Sequence, residues 1–138
     1  CDVVFCTEVL EHLERPGLAL AEAARVLKPG GHAIYTTPLF WHLHEEPRDF
    51  LRYTKHGLRY LFEQAGFEVL ELIPMSGFLV TFGVEWGYYL LRFSRGPFRF
   101  LVRGLVALNS WLLPALDRGF LRDERFTWGY LVVARKPA

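Results

Sequence analysis

The sequence holds only two cysteines, one methionine and almost no excess of charge, its formal net charge being +1 over 138 residues. So balanced a chain has no general attraction to polyanions, and no nucleic-acid partner is expected. Cys1 and Cys6 lie five positions apart in or beside an extended run, where their side chains point to opposite faces, which disfavours a bridge between them. With neither a disulfide framework nor a signal peptide, the expected setting is reducing and cytoplasmic. Uninterrupted apolar runs of about 20 residues, the length of a comfortable transmembrane helix, are missing too. An initiator methionine is also lacking. The chain opens on Cys1-Asp2-Val3-Val4-Phe5-Cys6, which reads as the interior of a strand needing neighbours on both sides. A truncated chain without its N-terminal strands is the expectation.

What is present is apolar: 51% hydrophobic and 16% aromatic residues are ample for one packed domain. Asp2 to Cys6 predicts a parallel strand covered on both faces. Pro16 suits a first helical turn, and Leu20, Ala24 and Leu27 form one stripe of a helix from about Gly17 to Leu27. Lys28-Pro29-Gly30-Gly31 supplies turn chemistry, and His32 to Thr37 the next strand, completing a βαβ unit. An irregular, histidine-rich loop follows, from Pro38 to Tyr53. Thr54 is placed to cap a helix whose apolar face is Leu58, Leu61, Phe62 and Ala65. Strands are expected at Phe67 to Ile73 and at Thr127 to Arg135. Between them, residues 75–126 differ in character. The stretches 78–93 and 98–116 read as amphipathic helices carrying Arg92, Arg95, Arg99 and Arg103, the second interrupted by Asn109 and Pro114.

Residues 8–12, EVLEH, carry the densest chemistry. If helical, Glu8, Glu11 and His12 share a face, and two carboxylates with an imidazole are ligands for a divalent cation such as Mg²⁺ or Mn²⁺. His42 and His44, two apart, face one way if the loop is extended. An acidic first turn favouring the helix dipole accounts for the same residues, and is preferred over a metal at this stage.

Taken in order, "DVVFCTEVLEHL", "RVLKPGGHAIYTTP", "PRDFLRYT" and "LFEQAGFEV" resemble the C-terminal half of the class I S-adenosylmethionine-dependent methyltransferases, nearest to the methyltransferase type 11 group. The resemblance covers residues 1 to about 74 and the final strand. It implies a Rossmann-like α/β sheet, mostly parallel with an antiparallel last strand, in which the four strands above are the fourth to seventh. It also implies an enzyme transferring a methyl group from S-adenosylmethionine to a small, lipophilic acceptor. The family's glycine-rich turn and ribose-binding acidic residue have no counterpart here, so this chain alone is expected to bind the cofactor poorly.

By the same resemblance Cys6, Thr7 and Glu8 are cofactor-binding, at the carboxyl edge of the sheet where ligands of open α/β folds gather. The E-x-x-E-H segment resembles the metal site of cation-dependent small-RNA and quinone O-methyltransferases. His12, His42 and His44 are candidate general bases for an oxygen acceptor. Trp41, Phe50 and Tyr53 are expected to wall an acceptor pocket, with Asp49 among the residues orienting the ligand; the bland alternative is that Asp49 and Arg52 brace the loop. The insert reads as a lid or as a peripheral membrane surface. Two rival functions remain: a non-catalytic methyltransferase-like module binding a membrane or protein through the insert, and a nicotinamide dehydrogenase, which predicts a parallel final strand.

Overall fold

A computed structural model describes residues 1–138, the side chain of Phe120 excepted. Four strands, β1 (Val3–Thr7), β2 (His32–Pro38), β3 (Glu68–Pro74) and β4 (Gly129–Arg135), form one sheet in the order β1-β2-β4-β3. β1 and β2 are parallel, Val4 opposite Ala33 and Cys6 opposite Tyr35. β4 runs antiparallel between β2 and β3. Three strands therefore share one direction and the last is reversed, as the resemblance implied, and the dehydrogenase reading falls with its parallel last strand.

The chain divides into two compact units, Cys1–Met75 with Gly129–Ala138, and Ser76–Trp128. In the first, α1 (Pro16–Val26) and α2 (Lys55–Gln64) pack on the sheet. Proline at the start of α1 has no N–H to leave unpaired, and the Thr54 hydroxyl accepts from Gly57 N (3.1 Å) at the start of α2. Leu20, Ala23 and Leu27, then Leu58 and Phe62, bury against Ala33 and Tyr35 of β2 and Tyr130, Val132 and Ala134 of β4. Phe62 is wholly buried and meets Tyr35 edge to face at 5.3 Å.

β1 departs from expectation. Val3 is 52% and Phe5 70% exposed, so the strand is covered on one face only. It is also an edge strand, with β2 its sole neighbour among the described residues. Cys1 and Cys6 are free thiols.

In the second unit α3 (Phe78–Leu91) and α4 (Arg99–Leu116) pack together. A Cβ on Gly83 would come within 2.3 Å of Leu113 Cδ1, so glycine there admits α4 at close range. Asn109 and Pro114 do not interrupt α4; Asn109 turns inward and donates to the Gly83 carbonyl at 2.6 Å. The Asp117 carboxylate accepts from Gly77 N (2.7 Å) and Leu79 N (3.1 Å), satisfying the first amides of α3. Among the described residues no helix is long and apolar enough to cross a membrane.

Candidate functional site

At the carboxyl tip of β1 the backbone turns sharply. Glu8 adopts φ +51°, a left-handed conformation costly for a branched-free but bulky residue, while its amide still bonds Thr36 O at 3.0 Å. A short 3₁₀ turn, Leu10–His12, follows instead of the expected helix through residue 8. Glu8, Glu11 and His12 therefore do not form one helical face, and Glu8 is not in the cluster that results.

What joins Glu11 and His12 is His44. The loop after β2 is carried there by backbone bonds: the amides of Phe50 (2.9 Å) and Leu51 (3.2 Å) both donate to the Glu11 carbonyl. His12 Nε2 then lies 3.6 Å and His44 Nε2 3.9 Å from Glu11 Oε1. One ligand atom from each of the three residues falls within 4.8 Å of the others.

Each imidazole is held from behind. His12 Nδ1 donates to the Arg48 carbonyl at 2.6 Å, and His44 Nδ1 lies 3.4 Å from both the Asp49 carboxylate and the His42 carbonyl. Those partners assign the proton to Nδ1 and leave Nε2 as the lone-pair donor toward Glu11, the arrangement by which proteins orient metal-ligating histidines. Glu11 itself is fully buried, and neither carboxylate oxygen has a hydrogen-bond partner. Burial pushes its carboxyl above the ordinary range, and the neighbouring Glu8 adds to the rise. A buried, orphaned carboxylate facing two imidazole lone pairs fits a divalent cation, and this donor set of two nitrogens and one carboxylate suits Mn²⁺ or Zn²⁺ better than Mg²⁺.

Asp49 and Arg52 brace this loop. The guanidinium donates to both Asp49 oxygens, at 2.5 and 2.8 Å, and to the carbonyls of Trp41 (3.2 Å) and His42 (2.9 Å). Hydrogen bonding from Arg52 holds the Asp49 carboxyl well below the usual carboxylate range. Asp49 thus faces inward, to Arg52 and His44. Tyr53 is buried, its hydroxyl donating to the Leu10 carbonyl at 2.8 Å. His42 is exposed, stacks on Trp41 with centroids 5.0 Å apart, and stands outside the cluster. Two cavities open beside it: one of about 550 Å³ lined by His12, Arg48, Phe50 and Leu18, and one of about 350 Å³ lined by Trp41, Asp49, Phe50 and Arg52.

Cys6 is half-buried, and burial, then Glu11, raises its thiol. Thr7 is exposed at the strand tip. Glu8 Oε1 is buried without a hydrogen-bond partner, an acceptor suited to a ligand's hydroxyl or ammonium group. Sequence reasoning missed the strained Glu8, whereas the bracing of the loop by Asp49 and Arg52 is the alternative it had kept open. The pairing of His44 with Glu11 had one signal, the His42-x-His44 spacing, which does not say which of the two turns inward.

Residues 1–35 match the family model described as Methyltransferase domain. The ubiquinone biosynthesis O-methyltransferase of Alkalilimnicola ehrlichii is 39% identical over 73 residues, 53% of this chain and 24% of that protein. Among solved structures, the [4+2]-cyclase SpnF aligns over 99% of this chain and 50% of its own, at TM-score 0.56 and 20% identity. Phosphoethanolamine N-methyltransferase 2 of Haemonchus contortus aligns over 99% and 34%, at TM-score 0.56 and 18% identity. At such identities the structural likeness shows the fold alone. The chain spans about a quarter of the length of the curated relatives it matches. In the match of residues 1–35 and in its fold, this chain is similar to the class I methyltransferases of the type 11 group.

Proposed function

We propose that the chain is part of an S-adenosylmethionine-dependent O-methyltransferase acting on a small, lipophilic, hydroxyl-bearing acceptor, with a divalent cation held by Glu11, His12 and His44. The observation that carries this reading is the orphaned Glu11 carboxylate facing two pre-oriented Nε2 atoms at the carboxyl tip of β1. Similarity to ubiquinone biosynthesis O-methyltransferases supports oxygen as the acceptor atom and a lipophilic acceptor.

The cofactor, when bound, supplies a methyl group already activated on a sulfonium, so the protein's own task is alignment and exclusion of water. Cys6, Thr7 and Glu8 form the strand-tip contact, Glu8 Oε1 accepting from the cofactor. The cavity lined by Trp41 and Phe50 takes the apolar body of the acceptor, while Arg52 and Asp49 keep its wall rigid. The cation supplies positive charge that lowers the pKa of an acceptor hydroxyl. With His12 and His44 used as ligands, exposed His42 is the imidazole left to receive the proton.

The test is turnover by the protein that contains this chain, with labelled S-adenosylmethionine and a panel of apolar phenols. Activity should fall on chelation and return with Mn²⁺ or Zn²⁺. Chelator-insensitive turnover removes the cation from the proposal; absence of methyl transfer to any hydroxyl removes the O-methyltransferase.

A further inference from the structure

The residues of the site described above all belong to the first unit; the second unit, Ser76–Trp128, holds much of the exposed apolar surface. On α4, Phe100, Leu101, Leu105, Leu108, Trp111 and Leu112 are 38–73% exposed and follow one another along a single face. From Phe100 to Leu112 that stripe spans roughly 18 Å of the helix at about 1.5 Å per residue. Facing the other way, Val106, Asn109 and Leu113 meet α3. Soluble surfaces rarely carry a continuous apolar strip of this extent without an occupant.

The charge pattern identifies the occupant. From Trp86 to Leu116 the sequence contains Arg92, Arg95, Arg99 and Arg103 and no acidic residue. Two of these guanidiniums lie over aromatic rings, Arg92 at 5.6 Å from Tyr89 and 5.5 Å from Phe93, Arg99 at 4.6 Å from Phe100. A guanidinium over an aromatic ring is a cation–π contact, and arginines interleaved with aromatic residues suit a lipid–water boundary. Trp86 and Trp111, 55% and 73% exposed, are the residue type that settles at headgroup depth. Between α3 and α4 lies an apolar groove of about 600 Å³, walled by Phe78, Phe82, Trp86, Tyr89 and Leu113.

We propose that this unit is a peripheral docking element that lies in the interface of an anionic phospholipid bilayer, α4's apolar stripe facing the acyl chains and the four arginines the headgroups. A bilayer accepts a long apolar strip without shape complementarity, and anionic lipid neutralises charges that the unit's own sequence leaves uncompensated between residues 86 and 116. The inference stands apart from the catalytic proposal, since vesicle binding and methyl transfer are separate readouts.

The experiment is flotation of the chain with vesicles of phosphatidylcholine, alone or mixed with phosphatidylglycerol, at low and at physiological ionic strength. The chain should float with the mixed vesicles, less so as salt rises. Replacing Arg92, Arg95, Arg99 and Arg103 by Gln should weaken partition about fivefold per arginine, whereas replacing all four by Lys should preserve it. Leu108→Ser with Trp111→Ser, at exposed positions, should abolish flotation with circular dichroism unchanged. Failure of the unaltered chain to float with anionic vesicles, or equal flotation of the Gln variant, overturns the proposal. So does sedimentation showing a concentration-dependent dimer that Leu108→Ser with Trp111→Ser dissolves while vesicles capture nothing; the stripe then belongs to a second copy.

Discussion

At the scale of the residue, the decisive atoms are the two oxygens of Glu11. A carboxylate buried without donors is expensive, and the structure places two imidazole lone pairs where a cation would relieve the cost. Glu11→Gln is expected to remove Mn²⁺ binding measured by titration calorimetry. Asp49→Asn, which loosens both the back of His44 and the Arg52 brace of its loop, should weaken it about 10–100-fold. A second prediction concerns Tyr35, whose hydroxyl burial pushes up to about 12, with Cys6 adding to the rise. The folded state therefore favours the protonated phenol. Stability is intact below the ordinary value of about 10 and declines as pH climbs through about 12, a slope that Tyr35→Phe should reduce in urea titrations at alkaline pH. Legibility at this scale was uneven. EVLEH offered metal ligands only as the less favoured reading, and only if a helix ran through Glu8. The left-handed turn at Glu8 depends on where β1 ends against Thr36, a tertiary fact, so His44 took the place expected of Glu8.

At the scale of the element, local rules worked wherever local chemistry closes the structure. Thr54 caps α2 as its position implied, and Thr54→Ala should cost about 1 kcal/mol in urea unfolding. α3 shows the opposite case: its cap is Asp117, forty positions away, and no window of sequence around Ser76 and Gly77 could have named it. Asn109 and Pro114 read as breaks in a helix because periodicity does not register a side-chain bond to a neighbouring backbone. In the sheet, a Cβ on Gly129 would stand 2.5 Å from the Thr37 carbonyl oxygen, a backbone atom that cannot swing away. Gly129→Ala should destabilise by about 1–3 kcal/mol, seen as a lower urea midpoint with unchanged slope.

At the scale of the molecule, the strands and their directions were legible because four motifs occur in a fixed succession, whereas the use of the insert was not. The insert leaves the first unit after Met75 and returns to it at Gly129. Met75 N bonds Gly129 O at 3.0 Å, and inside that pair Ser76 N meets Thr127 Oγ1 at 3.1 Å and Trp128 N meets Ser76 Oγ at 3.0 Å. Replacing Ser76–Trp128 by Asn-Gly would leave a tight hairpin between two strands already antiparallel. Such a shortened chain should keep cooperative urea unfolding and its Mn²⁺ affinity while losing capture by anionic vesicles. A polypeptide that leaves and re-enters its scaffold at neighbouring points can exchange the intervening passage wholesale. Lineages could thus refit the same catalytic chassis with longer, shorter or differently greased attachments, and no pairing in the sheet would need to change.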